Sequence, residues 1–432
     1  MRFFPYFKSK DKHNNGFFFY LISLVTIGFI IFIPTFLLLK EPVTNYFSKQ
    51  SPLFVNYLYW LIPLTFFMLY WLTFEVYSSV LMRIAVPKFI REILLRVLVV
   101  LVYMAYALGY VDLNGFVAGF VIVYGIAMFT TFFYVSRIGS ISLRHDPAFI
   151  TKPLRKDFLF YTSIILLGSL GSSIVSKIDV FMISGEMGLA STGIFSIAFY
   201  MIAIVDIPSR SISAISSPLA AEALQQKDFK KANGLYQKVS LHQLIIGSFI
   251  FLLIWFNIDN IYAIIPNGEV YSAGKWVIFF TGVAKLIEIT LSFGGVLINF
   301  SKHYKWGLFF VFFISGLTII FNYLLIPIYG IAGVAMSTLF TYLLSYSIQQ
   351  WLLFSKIKAN PYSKGTLKQF LVIALLVGVN FLLPYVGNPW IDGIYRTLIV
   401  SVVGIGLIYF LRVSDEVNRI VRKLLKRNTN AS

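Results

Sequence analysis

Lys285 and Glu288 stand one helical turn apart inside the run Trp276–Ile298, which is otherwise nearly all apolar. That run is long enough to cross a bilayer as a helix. A charge near its midpoint costs at least about 2.5 kcal/mol, so both residues need a physical reason to be there. On a helix, positions 281, 285, 288, 292, 295 and 299 share one face. They read Thr281, Lys285, Glu288, Ser292, Gly295 and Asn299, while Thr290 is the main polar residue elsewhere on the run. The stripe rises about 27 Å, roughly the thickness of the hydrocarbon core. It cannot face lipid. It either packs against other helices, with Lys285 and Glu288 as a structural tie, or lines a water-filled path. Its length favours the path, because a local ion pair needs no polar residues above and below it.

Other candidate groups are more scattered. Lys177 and Asp179 lie near the outer end of a span, where snorkelling is the plain alternative to a functional role. Asp206 falls near an inner interface and reads as a solvated charge. Gly168, Gly171 and Ser172 read as close helix packing. Of the four histidines, His13, His145 and His303 fall in inner loops and His242 near the inner end of a span. That scatter argues against a metal site or a histidine relay. The chain has no cysteine, which excludes disulfides, thiol catalysis and cysteine-ligated metals. It has no GxxxxGK[ST] phosphate loop for ATP. The longest outer loop, residues 257–275, carries only Asp259, Glu269 and Lys275 as charges. A carrier without a cofactor, driven by a coupling proton or sodium ion, fits these residues better than an enzyme.

The elements that position these residues follow from composition. Of the 432 residues, 58% are hydrophobic and 12% charged, which marks an all-α polytopic membrane protein. Apolar runs predict about twelve spans. The first four are Phe17–Leu39, Leu53–Phe74, Leu94–Tyr110 and Phe116–Val135. The next four are Phe158–Ile183, Ser191–Ile207, Val239–Phe256 and Trp276–Ile298, and the last are Trp306–Ile326, Ile331–Leu353, Gln369–Leu383 and Ile394–Leu411. Pro63 and Pro208 are expected to bend the spans they touch. The net charge of +18 does not indicate nucleic acid: with both termini in the cytoplasm, 30 of the 36 Lys and Arg fall in inner segments. This is the positive-inside bias. Residues 414–427, SDEVNRIVRKLLKR, read as a basic amphipathic helix on the inner leaflet, in contact with membrane lipids.

The sequence also repeats. Tyr77-Ser78-Ser79-Val80-Leu81-Met82 and Phe293-Gly294-Gly295-Val296-Leu297-Ile298 share a pattern at an offset of 216 residues. Gly115-Phe116-Val117-Ala118-Gly119 matches Gly330-Ile331-Ala332-Gly333 at 215. Asn15-Gly16 matches Asn233-Gly234 at 218, and Pro5 matches Pro218 at 213. Two parallel copies are implied, and carriers commonly bind substrate where such copies meet.

Phe321-Asn322-Tyr323-Leu324-Leu325-Ile326-Pro327, followed by Tyr329-Gly330-Ile331-Ala332-Gly333-Val334-Ala335, resembles a hallmark of bacterial polysaccharide exporters. These are flippases of lipid-linked oligosaccharide repeat units, within the multidrug/oligosaccharidyl-lipid/polysaccharide exporter superfamily. Lys177-Ile178-Asp179-Val180-Phe181-Met182-Ile183 and Gly193-Ile194-Phe195-Ser196-Ile197-Ala198-Phe199-Tyr200 add to the resemblance. It implies a two-lobed, multidrug-extrusion-like bundle. Residues 1–150 would be an N-terminal lobe, 151–358 a six-helix lobe, 359–413 two additional helices and 414–432 a cytoplasmic tail. It implies an undecaprenyl-diphosphate-linked oligosaccharide as substrate, crossing the inner membrane for surface polysaccharide, with a polymerase and glycosyltransferases as partners. It makes Lys177, Asp179 and Asn322 secondary site candidates beside Lys285, Glu288, Thr281, Ser292 and Asn299. A compact ammonium such as Lys285 attracts a diphosphate, and Glu288 can neutralise it or take the coupling ion. The rivals are a multidrug/cation antiporter, which should be richer in acidic groups, and a membrane-embedded glycan polymerase or acyltransferase. One departure stands out. The family's first lobe has six helices and this chain supplies four, giving 4 + 6 + 2; both that count and the repeat lead us to expect two helices before Met1.

Overall fold

The computed structural model describes residues 4–7, 14–138, 141 and 152–419; His13, His145 and the basic tail beyond Arg419 lie outside them. Every regular element among the described residues is a helix. This follows from composition, since in lipid a helix satisfies its own backbone hydrogen bonds. Eleven of these helices are long and apolar enough to cross a membrane. The chain is an all-α polytopic membrane protein.

Contacts divide the chain into two compact units, Met1–Leu166 and Leu167–Ser432. The first contains α1 (Phe17–Phe47), α2 (Leu61–Val80), α3 (Leu95–Ala107) and α4 (Leu113–Ile138). Pro63 falls in the first turn of α2, where a proline costs the helix little. The third expected span, Leu94–Tyr110, differs from expectation: α3 has only 13 residues of regular helix. It continues backward through a wide turn at Ile90–Leu94 into Ala85–Phe89, so the chain stays helical from 85 to 107. The wide turn carries Arg91, whose Nη1 lies 2.9 Å from Glu75 Oε1 on α2. Phe18, Trp71, Phe74, Tyr77, Ala127 and Met128 belong to the apolar core of this unit.

α5 (Lys152–Glu186) spans the division, and the second unit continues with α6 (Gly188–Ile202) and α7 (Asp206–Gln225). A 3-10 turn at Ala203–Val205 joins α6 to α7. Pro208 has no N–H to donate to the carbonyl of Ile204, which explains the change of ladder there. The unit then holds α8 (Phe229–Phe256), α9 (Lys275–Leu291), α10 (Phe293–Phe300), α11 (Lys305–Tyr329) and α12 (Ile331–Leu352). α13 (Lys364–Leu382) and α14 (Pro389–Phe410) pack on each other and on α8.

The repeat is visible in the helices. The helical segments of the first unit start at 17, 61, 85 and 113, and those of the second at 229, 275, 305 and 331. The offsets are 212, 214, 220 and 218. Within each unit the first segment packs on the second, and the second and third pack on the fourth.

The described residues after α14, 411–419, pack against the helices instead of lying free on a membrane surface. Val413, Ser414 and Asn418 are buried. Ser414 Oγ is 3.2 Å from His242 Nε2, and Asn418 donates to the Tyr409 carbonyl. Lys238 Nζ on α8 lies 3.0 Å from Glu416 Oε1 and holds that carboxyl down at about 2.

Glycine sets the closest approach. α11 turns into α12 at Gly330, with φ 58° and ψ −136°, a conformation essentially restricted to glycine. Three residues on, a methyl group at Gly333 would sit 2.2 Å from the Leu325 carbonyl oxygen. Backbone cannot yield as a side chain does. Gly333→Ala should therefore destabilise the protein by about 1–3 kcal/mol, the usual cost of overpacking. Gly316→Ala, with open space around the added methyl, should be neutral. Thermal unfolding of the two detergent-solubilised variants against the parent measures the difference, and equal midpoints would refute this packing.

Candidate functional site

α9 carries Lys285 near the middle of the helical stretch 275–300. It runs between α6, α8 and α12, each of which packs on it. Close approach to α8 is possible because Gly282 leaves room for the Phe251 ring, 2.2 Å from where a Cβ would stand. Lys285 Nζ lies 2.7 Å from Glu288 Oε2 on its own helix. It also lies 3.0 Å from Asp206 Oδ2. Asp206 is the first residue of α7, so the 3-10 turn beside Pro208 brings it to the lysine. The three side chains are 11%, 17% and 29% exposed for Lys285, Asp206 and Glu288.

This corrects the expectation that Asp206 is a solvated charge. No helical spacing connects positions 206 and 285; only packing does. The ammonium also lies 5.9 Å from the centre of the Phe199 ring, close enough for a cation–π attraction. Two carboxylates against one ammonium leave the cluster with a formal charge of −1. From α12, Tyr342 and Tyr346, their ring centres 5.7 Å apart, lie within electrostatic range of Glu288 and Asp206.

The rest of the polar stripe takes no part in this cluster. Thr281 is buried one turn before it. The regular helix breaks at Ser292, where Tyr236 donates a hydrogen bond to the Leu291 carbonyl and Gly295 N–H bonds back to Ser292 in a tighter turn. Asn299 is exposed. The face read from helical spacing therefore does not run unbroken past residue 291.

Asp179 and Asn322, from α5 and α11, meet directly. Asn322 Nδ2 donates to Asp179 Oδ1 at 2.8 Å, and Thr338 Oγ1 on α12 approaches Asp179 Oδ2 at 3.4 Å. Asn322 is fully buried and its Oδ1 has no hydrogen-bond partner in the structure. Lys177 is exposed and has no ion pair to Asp179. Asp179 is thus a carboxylate facing neutral donors only, and Tyr342 lies within electrostatic range of both acidic sites. Gly168 and Gly171 serve packing. Val311 would stand 2.7 Å from a Cβ at Gly171, and Ser315 Oγ reaches the Gly171 carbonyl at 3.2 Å. Among the described residues no group of three or more His, Cys, Asp or Glu is arranged to hold a metal ion.

No family model matches the chain. A curated relative, the "Uncharacterized membrane protein MJ1068" of Methanocaldococcus jannaschii, is 24% identical over 295 residues. That alignment takes in 65% of this chain and spans 56% of the relative's length. Among solved structures, one described as "Lipid II flippase MurJ, inward closed conformation" superposes with a TM-score of 0.73. It covers 95% of this chain and 87% of that one at 17% sequence identity. The likeness is one of fold: this chain is a multi-pass membrane protein built on the architecture seen in that flippase.

Proposed function

We propose that the protein is a carrier that moves a lipid-linked, anionic substrate across the membrane. In the finer reading the substrate is an undecaprenyl-diphosphate-linked oligosaccharide, moved by alternating access of two lobes for surface polysaccharide synthesis. The observation that carries this reading is the mid-span ammonium of Lys285 in a fold shared with a structure described as a lipid II flippase. The residue pattern around Asn322 and Gly330 supports the polysaccharide branch. The uneven distribution of Lys and Arg between alternate loops supports a reading in which both termini lie in the cytoplasm and the protein sits in the inner membrane. Glycosyltransferases and a polymerase are the partners that such a substrate requires.

Lys285 meets a diphosphate only by leaving its carboxylates. In the structure both Asp206 and Glu288 hold the ammonium, so an arriving anion competes with them. Protonating Glu288, the more exposed of the two, removes one competitor. That step would couple substrate entry to proton uptake. A second reading, antiport of cationic substrates, draws on a different observation: Asp179, Asp206 and Glu288 outnumber the single lysine.

Export of surface glycan in a strain that depends on this protein separates the two. At matched protein levels, Lys285→Ala should abolish export and Lys285→Arg should retain part of it, since Arg keeps the charge and changes its geometry. Normal export by Lys285→Ala would overturn the anion reading. Loss of cationic-dye efflux on neutralising Asp179, with glycan export intact, would support the antiporter.

Glu288→Gln should make transport independent of the proton gradient while substrate still binds. Unchanged dependence on the gradient would remove Glu288 from the coupling step. Stability gives an independent check on the cluster. Lys285→Met alone leaves two unpaired carboxylates and should cost up to about 3 kcal/mol. Adding Asp206→Asn and Glu288→Gln should recover most of that loss without restoring transport. Adding Glu288→Gln alone should recover less, because Asp206 would still lack its partner. Thermal unfolding in detergent orders the three variants.

A further inference from the structure

One end of the second unit holds a cavity of ≈ 690 Å³. This is within the range of small-molecule sites, about 300–1,000 Å³. Its walls come from the last turns of α8 and α13, the first turns of α9 and α14, and the short helix Ile258–Ile264. Its polarity changes along its length. Asp259 and Lys275 stand at helix ends and Tyr385 in the segment after α13, while Phe251, Phe279, Ile373 and Val377 lie one or more turns inward along their helices, beside the mutually paired Asp392 and Arg396 of α14. A charged mouth at the ends of spans over an apolar floor has the profile of an amphiphile standing in one leaflet. The Lys and Arg distribution makes this the outer leaflet.

The two ion pairs at the cavity differ. Arg396 is largely occupied, with four of its five N–H groups bonded: Nε lies 2.5 Å from Asp392 Oδ2, Nη1 donates to Asn380, and Nη2 donates to the carbonyls of Leu383 and Pro384. Asp392 further accepts from Asn260 and from the Val386 N–H. This network is wall. The Lys275–Asp259 pair is open, with side chains 34% and 76% exposed. Lys275 Nζ reaches both Asp259 oxygens, at 2.7 and 2.8 Å, which leaves it at least one free N–H. The Asp259 carboxylate keeps lone pairs free beyond those two bonds. Exposed pairs of this kind are weak and exchange partners readily. Two opposite charges side by side complement a zwitterion. A purely anionic head would meet the Asp259 carboxylate as well as the lysine.

We propose that this cavity binds one zwitterionic phospholipid with a primary ammonium. Its phosphate rests on Lys275, its ammonium on Asp259, and an acyl chain lies against Phe251, Phe279 and Val377. Trp255 braces the junction of head and chain, its ring centre 5.8 Å from Lys275 Nζ and 4.8 Å from that of Phe279. The site is independent of what the protein transports.

Native mass spectrometry of the full chain, purified in mild detergent, should find one retained phosphatidylethanolamine per protein. Adding that lipid to delipidated protein should raise the melting midpoint more than phosphatidylglycerol or phosphatidylcholine does. Lys275→Ala should reduce the retained lipid at least fivefold. Asp259→Asn should erase the preference for phosphatidylethanolamine over phosphatidylglycerol. Val377→Trp, which fills the apolar end, should abolish both retention and the shift. The first two variants change a half-exposed and an exposed side chain and should leave the fold intact, so the test holds even if the tryptophan variant does not fold. Equal retention by parent and Lys275→Ala overturns the proposal. So does equal stabilisation by phosphatidylglycerol, or stabilisation by a polyprenyl phosphate alone.

Discussion

A charge at mid-span must be met by the chain itself, because lipid offers nothing to meet it. Lys285 is the place where this constraint is strongest, and much of the second unit is arranged to satisfy it. Glu288 supplies one carboxylate from the same helix. The other arrives on a different element, from the first residue of α7, beyond the 3-10 turn Ala203–Val205. Bringing α9 into reach also requires the small residue Gly282 against Phe251. Helix break, glycine contact and ion cluster are therefore parts of one solution.

The cluster over-compensates its lysine. A single carboxylate would neutralise the ammonium, yet two are present and the site is left net negative. The two carboxylates therefore share one partner. Asp179 extends the same logic, because its hydrogen-bond partners Asn322 and Thr338 are neutral and leave its charge uncompensated. Tyr342 lies within electrostatic range of both acidic sites.

Close packing carries the fold around these groups. The corner at Gly330 and the contact of Gly333 with the Leu325 carbonyl seat α12 against α11, and α12 in turn packs on α9. The same order of helices and the same pairings recur in the first unit, where α2 packs on α4. There the buried charge is Glu75, and its partner Arg91 sits on a widened turn. In each unit, then, an acid–cation pair stands beside a place where the regular helix is interrupted.

Helix class, the position of most spans, the two-fold repeat and the placement of Lys285 and Glu288 one turn apart on one helix were legible from residue order alone. The reason is that apolar length, charge sidedness and helical spacing are local quantities. Pro208 signalled a bend beside the 3-10 turn, but the wide turn at Ile90–Leu94 was not legible, because one hydrogen-bond shift leaves no compositional trace; this is why Leu94–Tyr110 reads as a simple span. Asp206 reads as solvated for the same reason that Asn322 cannot be tied to Asp179 in advance: their partners lie 79 and 143 residues away in the chain. The polar stripe to Asn299 assumed an unbroken helix, and Tyr236, from α8, intervenes at Leu291. The sequence by itself determined that charges would lie within the membrane and on which helices. Only the tertiary structure decided which of them meet, because contact between helices depends on packing at glycines and turns rather than on spacing along one chain.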